Sequence, residues 1–221
     1  MSAAIALKKQ DPASEIRFRC TLCKVLFIDP EDGQGGPARC PICDSVGRFD
    51  SNFSNHQIDR MVSFTGSHGV GKTTSVLDKG RELKISLPHR TVGVLSENVI
   101  DSPYPINQQT TPESQLWIYT NQIQAELKFL SKYDVTVCDR TALDAVAYSY
   151  VAGFGQMASA MFDLFRSHCH VYGQIYFKTV RRNNYLVSDG IRDSSDSKFQ
   201  AAVETVLLQL YQKLGVRIVL I

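Results

Sequence analysis

The sequence predicts an α/β fold in which residues 56–221 form a parallel five-stranded sheet with helices on both faces. A small cysteine-bearing unit over residues 1–55 precedes it. Three observations lead there. Strand and helix patterns alternate from residue 60 to the end, which is the signature of βαβ units and a parallel sheet. A glycine-rich loop joins the first of these strands to the first helix. Two closely spaced cysteine pairs stand ahead of both.

A length of 221 residues allows one full α/β domain and a small satellite. With 43% hydrophobic and 21% charged residues the chain buries a real core, which argues against a disordered protein or a bare peptide-binding module. No apolar run approaches the roughly 18 residues of a membrane-spanning helix. The short apolar stretch Ala3–Leu7 lacks the basic leader and cleavage site of a secretory signal. The expectation is therefore a soluble cytoplasmic protein (host cytoplasm if viral), with no membrane partner and an oligomeric state left open. A net charge of +2 carries no electrostatic mandate for nucleic acid, although a local patch is compatible with a balanced total.

The cysteine pairs are Cys20-Thr-Leu-Cys23 and Cys40-Pro-Ile-Cys43, separated by 16 residues. Each pair sets two sulfurs on one knuckle, and two knuckles give the four tetrahedral thiolates that Zn²⁺ prefers. Disulfides are the other reading of such pairs, but they need an oxidising compartment that nothing in the sequence indicates. A segment this short buries too little apolar area to fold alone, so a structural zinc ribbon is the expectation. Val25–Ile28 reads as its strand, and Asp29–Pro37 as a turn-rich return. Residues 1–60 carry eight basic and eight acidic side chains, which does not support tight nonspecific duplex binding by this unit alone. A structural appendage and a docking surface built on Arg17, Arg19, Arg39 and Arg48 both stay open. Asp50–His56 is polar and reads as the linker. Cys138 and Cys169 lie singly in apolar stretches and read as packing residues.

Arg60–Thr65 is an apolar strand, followed by Gly66-Ser-His-Gly-Val-Gly-Lys-Thr73 and a helix from Thr74 to about Leu87. This is G-x-x-x-x-G-K-T in the strand–loop–helix context the motif requires. It makes the sheet one of P-loop NTPase type. Glycines let backbone N–H groups turn inward around phosphate, and the helix N-terminus adds its positive end. Gly66, Ser67, His68, Gly69, Val70, Gly71, Lys72, Thr73 and Thr74 are thus the predicted ATP-binding residues. Lys72 reaches the β- and γ-phosphates, and the Thr73 hydroxyl is a Mg²⁺ ligand.

The remaining elements follow in order. Thr91–Leu95 is a buried-type strand ending in Ser96-Glu97-Asn98, and Asp101–Thr111 is a polar loop. Thr111-Pro-Glu-Ser114 opens a helix to about Leu130, with Thr as cap, Pro in the first turn and Ser114 where a capping box usually has an acid. Tyr133–Cys138 is a strand that closes with Asp139-Arg140. Helical patterns cover Leu143–Tyr150 and Gln156–Ser167. Val171–Phe177 is a strand, Lys178–Asp193 is polar and basic, Ser195–Leu214 is a helix and Val216–Ile221 a last strand.

Ligands of such sheets bind beyond the carboxyl ends of the strands. Asp139 stands where a Walker B acid orients hydrated Mg²⁺. Glu97 at the neighbouring strand end is a candidate base for an attacking hydroxyl, and Arg140 a candidate phosphate partner. The other reading makes Glu97 a loop acid and Arg140 its structural salt-bridge partner. Lys178, Arg181, Arg182 and Arg192 concentrate positive charge after the fourth strand, as in a lid closing over a triphosphate, or as in a solvated loop.

The P-loop, the block Val137-Cys-Asp-Arg-Thr-Ala-Leu-Asp-Ala-Val-Ala-Tyr148 and the tetrapeptide Asp189-Gly-Ile-Arg192 together resemble the thymidylate-kinase-like P-loop kinases, from about residue 60 to the end. Within that group they are most similar to branches acting on nucleosides and nicotinamide riboside. The resemblance implies a five-stranded parallel sheet with a flexible lid, ATP and Mg²⁺, and an acceptor held near Asp139, Arg140 and Glu97. One viral branch phosphorylates the hydroxymethyl group of 5-hydroxymethyluracil within DNA, in building hypermodified thymidine. A zinc ribbon suits a polymer substrate as a strand guide, so DNA is the favoured acceptor. The base must present its 5-substituent in the major groove or be flipped out. Free deoxynucleosides or mononucleotides are the alternative substrates, and a regulatory NTPase that phosphorylates no acceptor is a third reading.

Overall fold

The computed structural model describes residues 17–20, 26–28, 39–40, 45–49, 60–106, 109–179, 197–216 and 218–221. The chain divides into two compact units, Met1–Gln57 and Ile58–Ile221.

In the first unit, β1 (Arg17–Cys20) pairs antiparallel with both β2 (Leu26–Ile28) and β3 (Gly47–Phe49). The register sets Phe18 opposite Phe27 and Phe49, and Arg19 opposite Arg48. An antiparallel bridge joins Arg39 to Val46, and the Cys40 amide donates to the Ser45 carbonyl at 2.8 Å. Cys40 is buried. The predicted strand at 25–28 appears as β2, whereas β1 and β3 were missed, being only four and three residues long. Cys23, Cys43 and the linker 50–56 lie outside the described residues, as does the side chain of Cys20.

In the second unit β4 (Met61–Thr65), β5 (Val92–Leu95), β6 (Val135–Asp139), β7 (Gln174–Phe177) and β8 (Ile218–Leu220) form an all-parallel sheet. Their order is β8-β7-β4-β6-β5. The strands β4 and β6 are buried at every position, as the near-continuous apolar runs predict for a sheet covered on both faces. The chain leaves the central β4 for the β5 edge, returns to β6, then crosses to β7 and β8, so its direction reverses around β4. A crevice opens at such a switch point.

Right-handed crossovers put α1 (Lys72–Ser86) on one face and α2 (Pro112–Lys132), α3 (Ala142–Val151), α4 (Gly155–His168) and α5 (Ser197–Leu214) on the other. The buried stripe of α1, Val76, Gly80 and Leu83, has helical spacing and meets β4, β5 and β6. The other four helices pack through α3, which contacts α2, α4 and α5.

The predicted capping box of α2 is present: the Thr111 hydroxyl accepts from the Ser114 amide at 3.3 Å, and Ser114 Oγ accepts from the Thr111 amide at 2.8 Å. A second box, Thr141 with Asp144, opens α3. Boundaries shift for local reasons. Tyr133, read as strand, instead closes α2 by donating its amide to Phe129, so β6 starts at Val135. Cys169–Val171 forms a 3₁₀ turn, so β7 starts at Gln174 rather than Val171. Among the described residues no helix is long and apolar enough to cross a membrane.

Candidate active site

The carboxyl ends of β4, β5 and β6 bring three of the predicted groups together. The loop 66–71 wraps the start of α1, and its conformation explains its glycines. Gly71 caps α1 at φ 74°, the left-handed region that L side chains avoid. At Gly66, with φ 133°, a Cβ would lie 2.3 Å from the Lys178 carbonyl oxygen, an impossible approach. Gly69 also has φ 74°, while Ser67, His68 and Val70 are buried and Thr74 lies exposed on the first turn of α1.

Lys72 is buried and donates its ammonium to the Ser67 carbonyl at 2.6 Å, which holds the charge across the mouth of the loop. His68 Nδ1 and the Tyr148 hydroxyl are hydrogen-bonded at 3.0 Å, and Gln200 of α5 donates to the His68 carbonyl at 3.1 Å. The helix that follows the basic segment is therefore tied to the loop.

Asp139 ends β6 beside this loop, 1% exposed, and its Oδ2 accepts from Thr73 Oγ1 at 2.5 Å. Oδ1 is buried and has no hydrogen-bond partner. Burial pushes the carboxyl pKa up, against the opposing pull of Thr73 and Arg140. A group whose folded pKa is raised binds more protons folded than unfolded, so the ionised form costs stability as pH rises through that range. A bound cation offsets this cost. A hydroxyl and a carboxylate with an orphaned oxygen are the hard oxygen donors that Mg²⁺ prefers, so the donor set fits the ion.

Arg140 follows with φ 77°, the one non-glycine residue at positive φ among those described. Such a conformation costs about 1–3 kcal/mol and persists only where the surroundings over-determine it. They do so here. The Arg140 amide donates to the Phe64 carbonyl at 2.8 Å; Nε is bonded to Glu97 Oε1, and Nη1 donates to Asp144 Oδ1 at 2.9 Å and to the Gly66 carbonyl at 3.3 Å. The guanidinium carbon lies 5.6 Å from the centroid of the Tyr148 ring. Burial works against its charge, but Glu97, Tyr148 and Asp144 outweigh it and hold the pKa well above the ordinary value. Nη2 is buried without a hydrogen-bond partner. The structural salt bridge weighed for Arg140 and Glu97 is thus what the geometry contains, with one guanidinium nitrogen left over.

Asp144, which lies within the block 137–148, has a structural part that the motif alone does not disclose. Its Oδ2 accepts from Thr65 Oγ1 at 2.8 Å and from the Thr141 amide at 3.0 Å, so one carboxylate ties β4, the α3 cap and Arg140 together. Asp144 and Tyr148 are four apart in α3 and share one helical face, which is the signal that pairs them, and Arg140, two residues ahead of the helix, turns its side chain onto that face. Together with Glu97, Val99, Ile106, Gln115, Ile118 and Ala145 they line a small, half-open cleft beside the P-loop. Val99 and Ile106 come from the segment after β5, so that segment supplies part of the cleft wall. Arg181, Arg182 and Arg192 lie outside the described residues. Lys178, grouped with them in the basic segment, is instead bonded to the P-loop: its ammonium donates to the Gly71 carbonyl at 3.1 Å and to Ser75 Oγ at 2.8 Å.

A five-stranded parallel sheet with a G-x-x-x-x-G-K-T loop on its central strand and an acid at the end of the neighbouring strand defines a P-loop domain with the nucleotide-kinase fold. More particularly, residues 61–221 match the family AAA_28, an AAA domain, and the chain belongs to that family. Three solved structures share the fold. Thymidylate kinase from Ehrlichia chaffeensis is 17% identical with a TM-score of 0.51, over 75% of this chain and 89% of that one. The NadR protein in complex with NR is 16% identical with a TM-score of 0.58, over 74% of this chain but 45% of that one. Deoxyadenosine kinase from M. mycoides, with products dCMP and dCDP, is 14% identical with a TM-score of 0.50, over 73% and 88%. At these identities the likeness is one of fold. No curated protein matches the chain.

Proposed function

We propose that the chain transfers the γ-phosphoryl group of ATP to a neutral, nucleoside-type hydroxyl. The observation that carries this reading is the charge of the cavity beside the P-loop. Its single cation, Arg140, is ion-paired to two carboxylates, Glu97 and Asp144, leaving a net negative lining among the described residues. A mononucleotide brings a phosphate of about −1.5 to −2 charge and is repelled there. A hydroxyl meets an acceptor in the Glu97 carboxylate.

The amides of the loop and Lys72 would seat the triphosphate, and Thr73 and Asp139 are the residues that would hold Mg²⁺. When bound, the cation spreads the charge that develops on the transferring group. Arg140 fixes the Glu97 carboxylate at the acceptor, and Glu97 takes the hydroxyl proton as the acceptor oxygen bonds to the γ-phosphorus and the β,γ-bridging P–O bond breaks. Positioning of this kind supplies most of the rate in phosphoryl transfer.

The favoured acceptor is the hydroxymethyl group of 5-hydroxymethyluracil in DNA. The motif blocks at 137–148 and 189–192 support it, as does the cysteine-bearing unit ahead of the kinase fold. The test uses labelled ATP with three acceptors: hydroxymethyluracil DNA, deoxynucleosides and mononucleotides. Transfer to the DNA is expected. Transfer to free deoxynucleosides alone selects the small-molecule kinase, which the fold shared with deoxyadenosine kinase also supports. Transfer to mononucleotides contradicts the neutral acceptor, and ATP hydrolysis without any transfer selects the regulatory NTPase.

The same proposal gives Cys20, Cys23, Cys40 and Cys43 one structural Zn²⁺. The pair spacing supports it, as does the hydrogen bond from the Cys40 amide to the Ser45 carbonyl. Metal analysis is expected to find about one zinc per chain, lost in Cys20→Ser; full zinc retention in that variant contradicts the four-thiolate site.

A further inference from the structure

Lys178 occupies a position that its membership of a basic segment does not explain. Its backbone is pinned against the start of the P-loop, with the amide donating to the Thr65 carbonyl at 2.9 Å and the carbonyl filling the space that a side chain at Gly66 would need. Its side chain then runs to the far end of the loop, where the ammonium donates to Gly71 and Ser75 on the first turn of α1. A cation at the N-terminus of a 15-residue helix meets the positive end of the macrodipole, where an anion is favoured. No carboxylate forms an ion pair with it among the described residues; Asp78 acts on it from a distance, and burial pushes its pKa down. The position is costly unless an anion shares it. A second observation marks the loop as shaped for a ligand: at its other end, beside Lys72, the Ser67 hydroxyl is fully buried and has no hydrogen-bond partner.

The two ammonium groups bracket the loop. Lys72 lies at its beginning, on Ser67, and Lys178 at its end, on Gly71. With Lys72 on the β/γ side of a bound triphosphate, the other end of the phosphate chain falls to Lys178. We propose that Lys178 is a second nucleotide-binding cation of this site and that the group it holds is the α-phosphate of ATP. The proposal rests on the reading of the loop as an ATP site. It makes Lys178 a fixed part of the phosphate cradle rather than part of a closing lid.

The test is Lys178→Gln in the full chain. The glutamine amide still donates toward Gly71 and Ser75, so the tether is kept while the charge is removed. Affinities for ATP, ADP and AMP are measured by competition with a fluorescent ATP analogue at fixed Mg²⁺ and salt, with thermal melting alongside. The expected result is an unchanged melting temperature and a loss of about tenfold or more, by the same factor for all three nucleotides. Lys178→Arg is expected to restore most of it. Wild-type affinity in the glutamine variant overturns the proposal. So does a loss confined to ATP, which moves the lysine to the γ-phosphate, or a lowered melting temperature in both variants, which makes it a structural tether. A wild-type chain that binds none of the three nucleotides overturns the ATP reading itself, and this proposal with it.

Discussion

Lys72→Ala is expected to abolish phosphorylation of every acceptor while leaving the fold intact. The lysine contributes a buried ammonium at the mouth of the loop, bonded to the Ser67 carbonyl. In the transition state, charge spreads over the oxygens of the transferring group, and a fixed cation in a water-poor site is worth far more there than in bulk solvent. Removing one such group from a preorganised site costs about 10²–10³ in rate. The loss here should reach at least that, since the same side chain also helps bind the substrate. Turnover under saturating ATP, followed with a melting curve, checks it. A variant that keeps the wild-type rate shows that the loop is not the site of phosphoryl transfer.

Asp144→Asn is expected to damage both stability and activity. The substitution keeps the size and much of the α3 cap, yet leaves the Arg140 guanidinium with Glu97 as its remaining ion-pair partner. Breaking a buried, hydrogen-bonded ion pair costs about 3–5 kcal/mol. In a unit of this size that corresponds to a fall in Tm of about 10 °C. The left-handed backbone at Arg140 is held partly by the same contacts, so the guanidinium and Glu97 should lose their fixed positions. Transfer should fall even at temperatures where the variant is fully folded. Melting curves and acceptor kinetics read the two effects separately. A variant that melts with the wild type and transfers at the same rate would show that Asp144 neither holds Arg140 nor matters to the acceptor.

The parts legible in the sequence are those whose meaning is local. The glycines at 66, 69 and 71, the Lys72-Thr73 pair and the apolar strands before them follow from spacing, because loop geometry and helix entry are decided within a dozen residues. Asp139 is legible for the same reason, as a polar residue ending a buried strand. The box formed by Thr111 and Ser114 was readable from four consecutive residues. The pairing of Glu97 with Arg140 is different: 43 positions separate them, and their meeting depends on β5 and β6 lying side by side. Residue types allowed both a phosphate-binding arginine and a structural one, and only the strand order shows the guanidinium held between two carboxylates. Lys178 was grouped by composition with the arginines that follow it, although the parallel pairing of β7 with β4 carries it to the P-loop. A charge-rich stretch shows where cations are, but not which of them the sheet delivers to the site.

The most direct measurement is calorimetric titration of the full chain with ATP in the presence and absence of Mg²⁺. The account expects saturable 1:1 binding that tightens with the cation, because Thr73 and Asp139 form the pair of oxygen donors that would hold it. Absence of measurable binding to ATP or GTP with Mg²⁺ supplied would contradict the phosphate cradle, and with it the acceptor chemistry built beside it.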